Sequence, residues 1–223
     1  MTGKSAFYNV MQDTITVRPM GRADAGLCAE MQLRLIPEAF INRLGVSFLR
    51  DVYFMGMVES KSCIVLVAEV SSKLAGFLVI AGDSAAFKKE LFEKKWKDAA
   101  RTLLPVLLRR PAAVLRFGCF CLRGRPNAEL DAPAELLSIA VEAPFRRQGV
   151  GKALLRSGMG SLDKQFGCDC QVQTWRAKGG ARVFYGTFGF SEPRDFDMLG
   201  GEYRMLVRRF KGSTSGAAGK GDE

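Results

Sequence analysis

Short apolar runs alternate along this chain with longer stretches in which apolar residues recur every three or four positions. The runs at Cys63–Val70 and 74–81 are rich in β-branched residues and flank a short serine turn, which predicts a β-hairpin. Further short strands are predicted at 15–18, 136–141, 168–175 and 202–209. Helical spacing predicts helices at 23–35, 87–110, 150–166 and 180–188. This order of elements indicates a single mixed α/β sheet.

The composition is that of an ordinary globular chain. With 223 residues, 48% of them hydrophobic, it can bury one good core, and its length favours one domain. No run of 18 apolar residues occurs, and the opening residues lack the apolar segment of a secretion signal. We therefore expect a cytoplasmic protein whose six cysteines are reduced thiols.

Histidine is absent, which narrows the chemistry. Ser–His, Cys–His and other histidine-based mechanisms are excluded, so proton transfer falls to Glu, Asp, Tyr, Lys, Cys or water. The C-x-C spacings at Cys119/Cys121 and Cys168/Cys170 lack the C-x2-C or histidine partners of a zinc site. We expect no metal centre.

A glycine-containing turn joins the strand predicted at 136–141 to the helix predicted from Val150. Its sequence is Arg146-Arg147-Gln148-Gly149-Val150-Gly151. Glycines let a backbone approach a ligand closely, and the unpaired N–H groups of a first helical turn favour anions. The turn therefore predicts a phosphate-binding device. Neither the G-x-G-x-x-G dinucleotide fingerprint nor the P-loop pattern is present.

Two motifs carry a family resemblance. From position 141 to 151 the chain reads V-E-A-P-F-R-R-Q-G-V-G, and thirty residues farther on, from 181 to 190, it reads A-R-V-F-Y-G-T-F-G-F. An opening I-T-V-R-P at 15–19 and a glycine, Gly76, in the second hairpin strand accompany them. These features resemble the GNAT (GCN5-related N-acetyltransferase) family.

The resemblance covers roughly residues 14–210, which we expect to form one acetyltransferase domain with a basic helical insert at about 84–125. Residues 1–13 are expected to be an N-terminal extension, and the Gly/Ser-rich stretch 211–223 a flexible tail. The family implies a single mixed, mostly antiparallel sheet with helices on both faces. It also implies acetyl-CoA as co-substrate.

Carried over residue by residue, the resemblance assigns a cofactor site. Backbone groups of the strand are expected to pair with the pantetheine arm, and backbone N–H groups of the turn to hold the pyrophosphate, with two arginines adding charge. The implied cofactor-binding residues are Ile139, Ala140, Val141, Arg146, Arg147, Gln148, Gly149, Val150, Gly151, Lys152, Lys178 and Tyr185. At Lys178 the family usually has Asn, and a lysine cannot accept a hydrogen bond, so Lys178 either reaches a phosphate or lies in solvent.

The resemblance also implies two catalytic residues. Tyr185 matches the tyrosine that protonates the leaving thiolate, although it can equally be half of an aromatic core pair with Phe184. Glu135 resembles the general base of the histone-acetylating branch, because an ammonium acceptor must lose a proton before it attacks. The alternatives for Glu135 are a solvent-exposed strand end, or a carboxylate that only attracts the cationic amine.

Positive charge is concentrated in the insert. The net charge is +10, and between Ser84 and Arg125 eleven Lys or Arg residues stand with three acids. Three interpretations stay open: a solvated helix near the acceptor cleft, capture of a phosphorylated or nucleotide-linked amino sugar, or contact with an anionic membrane or nucleic acid. No RNA-binding or helix-turn-helix signature is present, so DNA is not an expected partner.

The sequence therefore predicts an enzyme that moves acetyl from acetyl-CoA to a primary amine of a small molecule, such as an amino sugar or another anionic metabolite, by direct attack in a ternary complex. The alternatives are a protein or peptide N-acetyltransferase, and a non-catalytic acyl-CoA-binding module that docks on a partner or a membrane. The acceptor and the oligomeric state, including a homodimer, stay open.

Overall fold

Seven β-strands form one sheet in the order β1-β2-β3-β4-β5-β7-β6. The computed structural model describes residues 14–123, 132–176, 179–198 and 201–212. The strands are β1 (Ile15–Pro19), β2 (Cys63–Val70), β3 (Lys73–Ala81), β4 (Ala134–Val141), β5 (Cys170–Trp175), β6 (Ser191–Met198) and β7 (Gly201–Arg208). Neighbouring strands are antiparallel except β4 and β5, which are parallel. The predicted mixed, mostly antiparallel sheet is confirmed.

Seven α-helices, with shorter helical turns between them, occur in the described part of the chain. They are α1 (Ala25–Leu35), α2 (Val46–Phe48), α3 (Met55–Glu59), α4 (Ser84–Arg109), α5 (Pro111–Arg123), α6 (Val150–Gln165) and α7 (Gly179–Gly186). A π-helical segment, Leu49–Phe54, joins α2 to α3, and 3₁₀ turns occur at Arg22–Asp24, Phe40–Leu44 and Ala143–Phe145. The helices lie on both faces of the sheet, as expected.

Side chains along β2 and β3 point alternately to the two faces of the sheet, and each face has its own core layer. Leu66 and Leu78 pack with Leu154 and Leu162 of α6 on one face. Val67, one residue away on β2, faces the other layer, which contains residues of α1, the π-helical segment and α3. Successive side chains of a strand point to opposite faces, so each apolar strand run serves both layers. This explains why the hairpin strands read as continuous apolar runs.

The basic segment is helical as far as it is described. The predicted helix at 87–110 is confirmed by α4, and a second helix, α5, follows it directly. Pro111 begins α5, a position where its missing N–H costs nothing. The predicted extension at 1–13 and all of the predicted tail beyond residue 212 lie outside the described residues.

One strand was not predicted from the sequence. β6 has the polar sequence S-E-P-R-D-F-D-M and lies at the sheet edge, where a proline is tolerated. Its pairing with β7 is reinforced because Arg204 donates from Nε and Nη2 to the carboxylate of Asp195, at 2.6 and 2.9 Å. The ring of Phe196 stacks on that of Tyr203.

The described cysteines are free thiols. Cys28, Cys63, Cys168 and Cys170 form no disulfide. Burial raises the pKa of Cys28 to about 12, which keeps it protonated at neutral pH. Within the described ranges no group of three His, Cys, Asp or Glu side chains is arranged to hold a metal ion, and the absence of a metal centre stays a prediction. None of the described helices is both long and apolar enough to cross a membrane.

Candidate active site

The centre of the sheet opens between its two parallel strands. β4 and β5 pair only at Ala134–Cys170, Glu135–Gln171 and Leu136–Val172. β4 continues to Val141 and β5 to Trp175 without further pairing. The facing backbone groups beyond the last pair have no strand partner across the gap, and an extended ligand can pair with such groups as an added strand does.

Two cavities meet at this opening. The larger, about 790 Å³, lies between the end of β4, the start of α6, and α7. The smaller, about 320 Å³, lies between the unpaired parts of β4 and β5 and the segment that follows α1. Six residues line both cavities: Ile139, Ala140, Val141, Arg146, Ala181 and Tyr185. A ligand in one cavity therefore reaches toward a ligand in the other at this shared wall.

The glycine turn closes one end of the larger cavity. Gly149 has a φ of +92°, in the left-handed region that favours glycine, and α6 begins at Val150 immediately after it. A side chain at Gly151 would meet only Phe184 and Val141 at ordinary contact distances, so this glycine keeps the cavity open rather than relieving a clash. The first N–H groups of α6 have no partner within the helix. They form the positive end of its dipole beside the cavity.

Charged side chains surround that turn. Arg146 donates from Nε to the carbonyl oxygen of Val141 at 2.9 Å, which fixes its guanidinium beside the end of β4. Arg147 and Lys152 are exposed and also line the larger cavity. One helical turn beyond Lys152, Arg156 lies with it in a neighbouring cavity of about 460 Å³. Positive charge thus continues along α6 from the turn, as a polyphosphate ligand requires.

Most of the expected cofactor residues meet in one place. The larger cavity is lined by Ile139, Ala140, Val141, Arg146, Arg147, Gly149, Gly151, Lys152 and Tyr185. The side chains of Gln148 and Val150 are not part of it: Gln148 donates to the carbonyl oxygen of Pro144 at 2.7 Å, and Val150 is buried in the core. Only their backbone N–H groups are placed to contribute. Lys178 lies outside the described residues.

Tyr185 lies on the wall that the two cavities share. Its ring makes edge contacts with Phe184 and Phe190, at centroid distances of 5.3 and 5.7 Å. Tyr185 therefore both packs against Phe184 in the core and lines the cleft. Only 7% of the residue is exposed, and burial raises the pKa of its phenol above the ordinary value of 10. The phenol is consequently neutral, and able to donate a proton, throughout the physiological range.

Glu135 lies where β4 and β5 are still paired. It is 5% exposed, so the interpretation as a solvent-exposed strand end is wrong. It lines neither cavity. In register it faces Ala81 of β3 while Ser138 faces Val79, and Ala81 and Val79 belong to the same core layer. Glu135 and Ser138 therefore project from the same face of the sheet, with Ser138 closer to the opening.

Three polar residues of the smaller cavity were not predicted from the sequence. Glu38 follows α1 and places a carboxylate there. Ser138 Oγ and Gln173 Nε2, on β4 and β5, are buried atoms without a hydrogen-bond partner in the described part of the structure. Buried polar atoms are usually satisfied, so unmatched ones in a cleft indicate a polar ligand. Ser138 and Gln173 could have been noticed as polar residues within predicted strands, whereas the sequence around Glu38 carries no such signal.

The fold is that of the GNAT acetyltransferases, a mixed sheet that opens between two parallel strands. Residues 109–192 match a family model described as the acetyltransferase (GNAT) domain. The matched segment contains the glycine turn and Tyr185, the motifs by which the sequence resembles that family.

Solved structures support the fold. An acetyltransferase structure aligns with a TM-score of 0.58 at 18% identity, covering 88% of this chain and all of that one. The PaiA N-acetyltransferase of Thermoplasma acidophilum, solved with coenzyme A, aligns with 0.53 at 16%, covering 88% and 99%. The ribosomal-protein-S18-alanine N-acetyltransferase of Escherichia coli aligns with 0.51 at 13%, covering 94% and 99%. Comparison with curated protein sequences gives no significant match.

Proposed function

We propose that this protein transfers the acetyl group of acetyl-CoA to a primary amine of a small molecule, by direct attack in a ternary complex. The observation that carries the proposal is the pair of cavities that meet at Tyr185 between the splayed β4 and β5. One cavity has the phosphate-binding turn of a cofactor site. The other presents a carboxylate and two unmatched polar atoms, which suit a polar, cationic acceptor.

The cofactor side follows from the chemistry of its lining. Pyrophosphate is held by N–H groups of Gln148 to Lys152 and by the guanidinium groups of Arg146 and Arg147. The pantetheine arm pairs with the unoccupied edge of β4 at Ile139 and Val141, because the other edge of that strand already pairs with β3. A backbone N–H of this strand polarises the thioester carbonyl and stabilises the negative charge that develops there.

The acceptor side favours a compact amine. Its cavity, about 320 Å³, is at the lower end of the range for small-molecule sites. Glu38 attracts the ammonium form of the acceptor, while the Ser138 hydroxyl and the Gln173 amide bind a polar substituent. A peptide N-terminus or a lysine side chain would have to place its chain beyond this cavity.

The chemical step needs three proton transfers. Glu135 accepts, through water, the proton that the acceptor ammonium loses, and the freed amine attacks the thioester carbonyl. The C–S bond then breaks and Tyr185 protonates the departing thiolate. The nitrogen loses its second proton to the Tyr185 phenolate through water, which leaves the neutral amide and restores the phenol. Burial raises the pKa of the Tyr185 phenol, so the phenol carries its proton before the thiolate leaves.

Turnover on a panel of amines tests the proposal. Release of the CoA thiol is followed with polyamines, amino sugars, phosphorylated amino sugars and short peptides at saturating acetyl-CoA. We expect turnover with at least one small amine, at a kcat/KM higher than for the peptides. Turnover confined to peptides would overturn the small-molecule assignment. CoA binding without turnover on any amine would favour the non-catalytic alternative.

A further inference from the structure

A third cavity lies away from the acetyl-transfer cleft. It has a volume of about 630 Å³, within the range of ligand pockets, and separates α4 from the helical segments at 40–51. Its floor contains the buried residues Leu44 and Thr102. Five arginines and one acid, Asp51, line it. The arginines are Arg43, Arg50, Arg101, Arg109 and Arg110.

The acid does not neutralise this charge. Arg50 donates from Nε and Nη2 to the Asp51 carboxylate at 2.7 and 3.0 Å, and Arg101 lies 3.5 Å from it. Within the described ranges, no carboxylate pairs with the other three arginines. Like charges repel, so a cluster of this kind is stabilised when an anion binds to it.

Helix capping explains only part of the cluster. Arg109 and Arg110 lie at the end of α4, where positive charge offsets the helix dipole. Arg43 and Arg50 come from the opposite wall, about sixty residues earlier in the chain, and gain nothing from that dipole. Convergence of two separate segments on one cavity therefore calls for another reason.

The type of cation also points to phosphate. The first half of α4 carries five lysines between positions 88 and 97, yet no lysine lines this cavity. Arginine offers a planar fork of N–H donors that matches two phosphate oxygens at once, whereas lysine acts as a point charge. Leu44, Pro105 and Val106 add an apolar surface for the uncharged part of a ligand.

We propose that this cavity binds a phosphorylated small molecule, at a site separate from the cofactor cleft. The proposal goes beyond acetyl transfer and does not depend on it. A free phosphate compound is favoured over a lipid headgroup because of the exposed leucines of α4. Helical spacing places the exposed Leu104 and Leu107 on roughly the opposite side of α4 from the cavity-lining Thr102, Val106 and Arg109. A flat membrane cannot meet both sides of the helix.

Calorimetric titration of the full chain with inorganic pyrophosphate tests this site. The protein is first saturated with CoA, so that the turn at Gly149 is occupied. We expect pyrophosphate to bind, and Arg109→Gln/Arg110→Gln to weaken it by about tenfold or more, because two charge-assisted contacts are lost. Arg43→Gln, on the opposite wall, should also weaken it. Lys89→Gln/Lys97→Gln removes the same charge from the other half of α4 and should change affinity by less than about twofold.

Three results would overturn the site. They are no pyrophosphate binding to the wild type, equal weakening by the arginine and lysine variants, and binding only to vesicles that contain anionic phospholipid. Unfolding temperatures check that each variant is folded. The initial CoA titration separates the two proposals. Absence of CoA binding would count against the acetyl-transfer cleft alone. The difference between the arginine and lysine variants in pyrophosphate affinity would still test the arginine-lined cavity.

Discussion

Leu136 of β4 and Val172 of β5 form the last residue pair that joins these two parallel strands. Beyond this pair the strands run apart, and the two cavities that meet at Tyr185 occupy the space between and beside them. This opening coincides with the start of α6 and with Tyr185 of α7, which places cofactor and acceptor chemistry at one point.

At Gly149, a neutral side chain should weaken CoA binding less than a negatively charged side chain of the same size. Asp and Asn are similar in size and accept a left-handed φ equally well, so both variants carry the same backbone cost, about 1 kcal/mol. Only Gly149→Asp adds a negative charge where pyrophosphate binds. We expect calorimetry to show CoA affinity at least about tenfold weaker for Gly149→Asp than for Gly149→Asn. Equal affinities would mean that the turn does not hold phosphate.

Tyr185→Phe should separate catalysis from binding. The ring contacts with Phe184 and Phe190 are kept, so the unfolding temperature should change little. Loss of the proton donor should lower kcat by about 100-fold, with the KM for acetyl-CoA unchanged within about threefold. Tyr53→Phe, which packs beside Phe54 and lines none of the described cavities, is the control and should keep full activity. A Tyr185→Phe enzyme with normal kcat would remove the acid role.

The two carboxylates of the acceptor side should differ in kinetic signature. Glu38 contacts the acceptor cavity, so Glu38→Gln should raise the acceptor KM by about tenfold and leave kcat nearly unchanged. Glu135→Gln should lower kcat by about 100-fold instead, with the acceptor KM changed less than by Glu38→Gln. If Glu38→Gln lost kcat and Glu135→Gln did not, their roles would be exchanged.

An ion pair at the edge of the sheet should make stability depend on pH. Arg18 donates to both carboxylate oxygens of Asp24, at 2.7 and 3.0 Å, and holds the pKa of that carboxyl below its usual 3.8. A lowered folded pKa contributes stability above the unfolded value and loses it as pH falls through the folded value. Asp24→Asn should therefore reduce stability at pH 7, by about 1 kcal/mol, and make the loss below pH 4 less steep.

Chemical denaturation at pH 7 and pH 3 measures this effect. Asp195→Asn breaks a comparable pair, with Arg204, in which the carboxylate side chain is 40% exposed compared with 14% for Asp24. It should change stability less than Asp24→Asn does. The interpretation would be wrong if Asp24→Asn left the difference in stability between the two pH values unchanged.

The cofactor half of the site was predictable because its signals are local. The strand, the turn at Gly149 and the helix from Val150 are consecutive in sequence, and a left-handed glycine before a helix has a direct physical meaning. Tyr185 was found through a contiguous aromatic motif. Strand pairs such as β2 and β3 were equally accessible, since their apolar runs and serine turn are adjacent.

The acceptor half depends on tertiary placement and could not be predicted in this way. Glu38, Ser138 and Gln173 come from three distant segments and meet only because β4 and β5 diverge. The arginine-lined cavity likewise joins Arg43 to Arg109 across the packing of α4. The polar sequence of β6 shows no apolar alternation, and the strand forms through its backbone pairing with β7.

Hydrogen–deuterium exchange with and without acetyl-CoA shows directly whether the cofactor binds between β4 and β5. We predict that acetyl-CoA slows exchange at the amides of 139–141 and 148–152, which are the free edge of β4 and the first turn of α6. Exchange in the edge strand β6 should stay unchanged. Protection elsewhere, or no protection at saturating acetyl-CoA, would contradict the assignment of the cleft between β4 and β5.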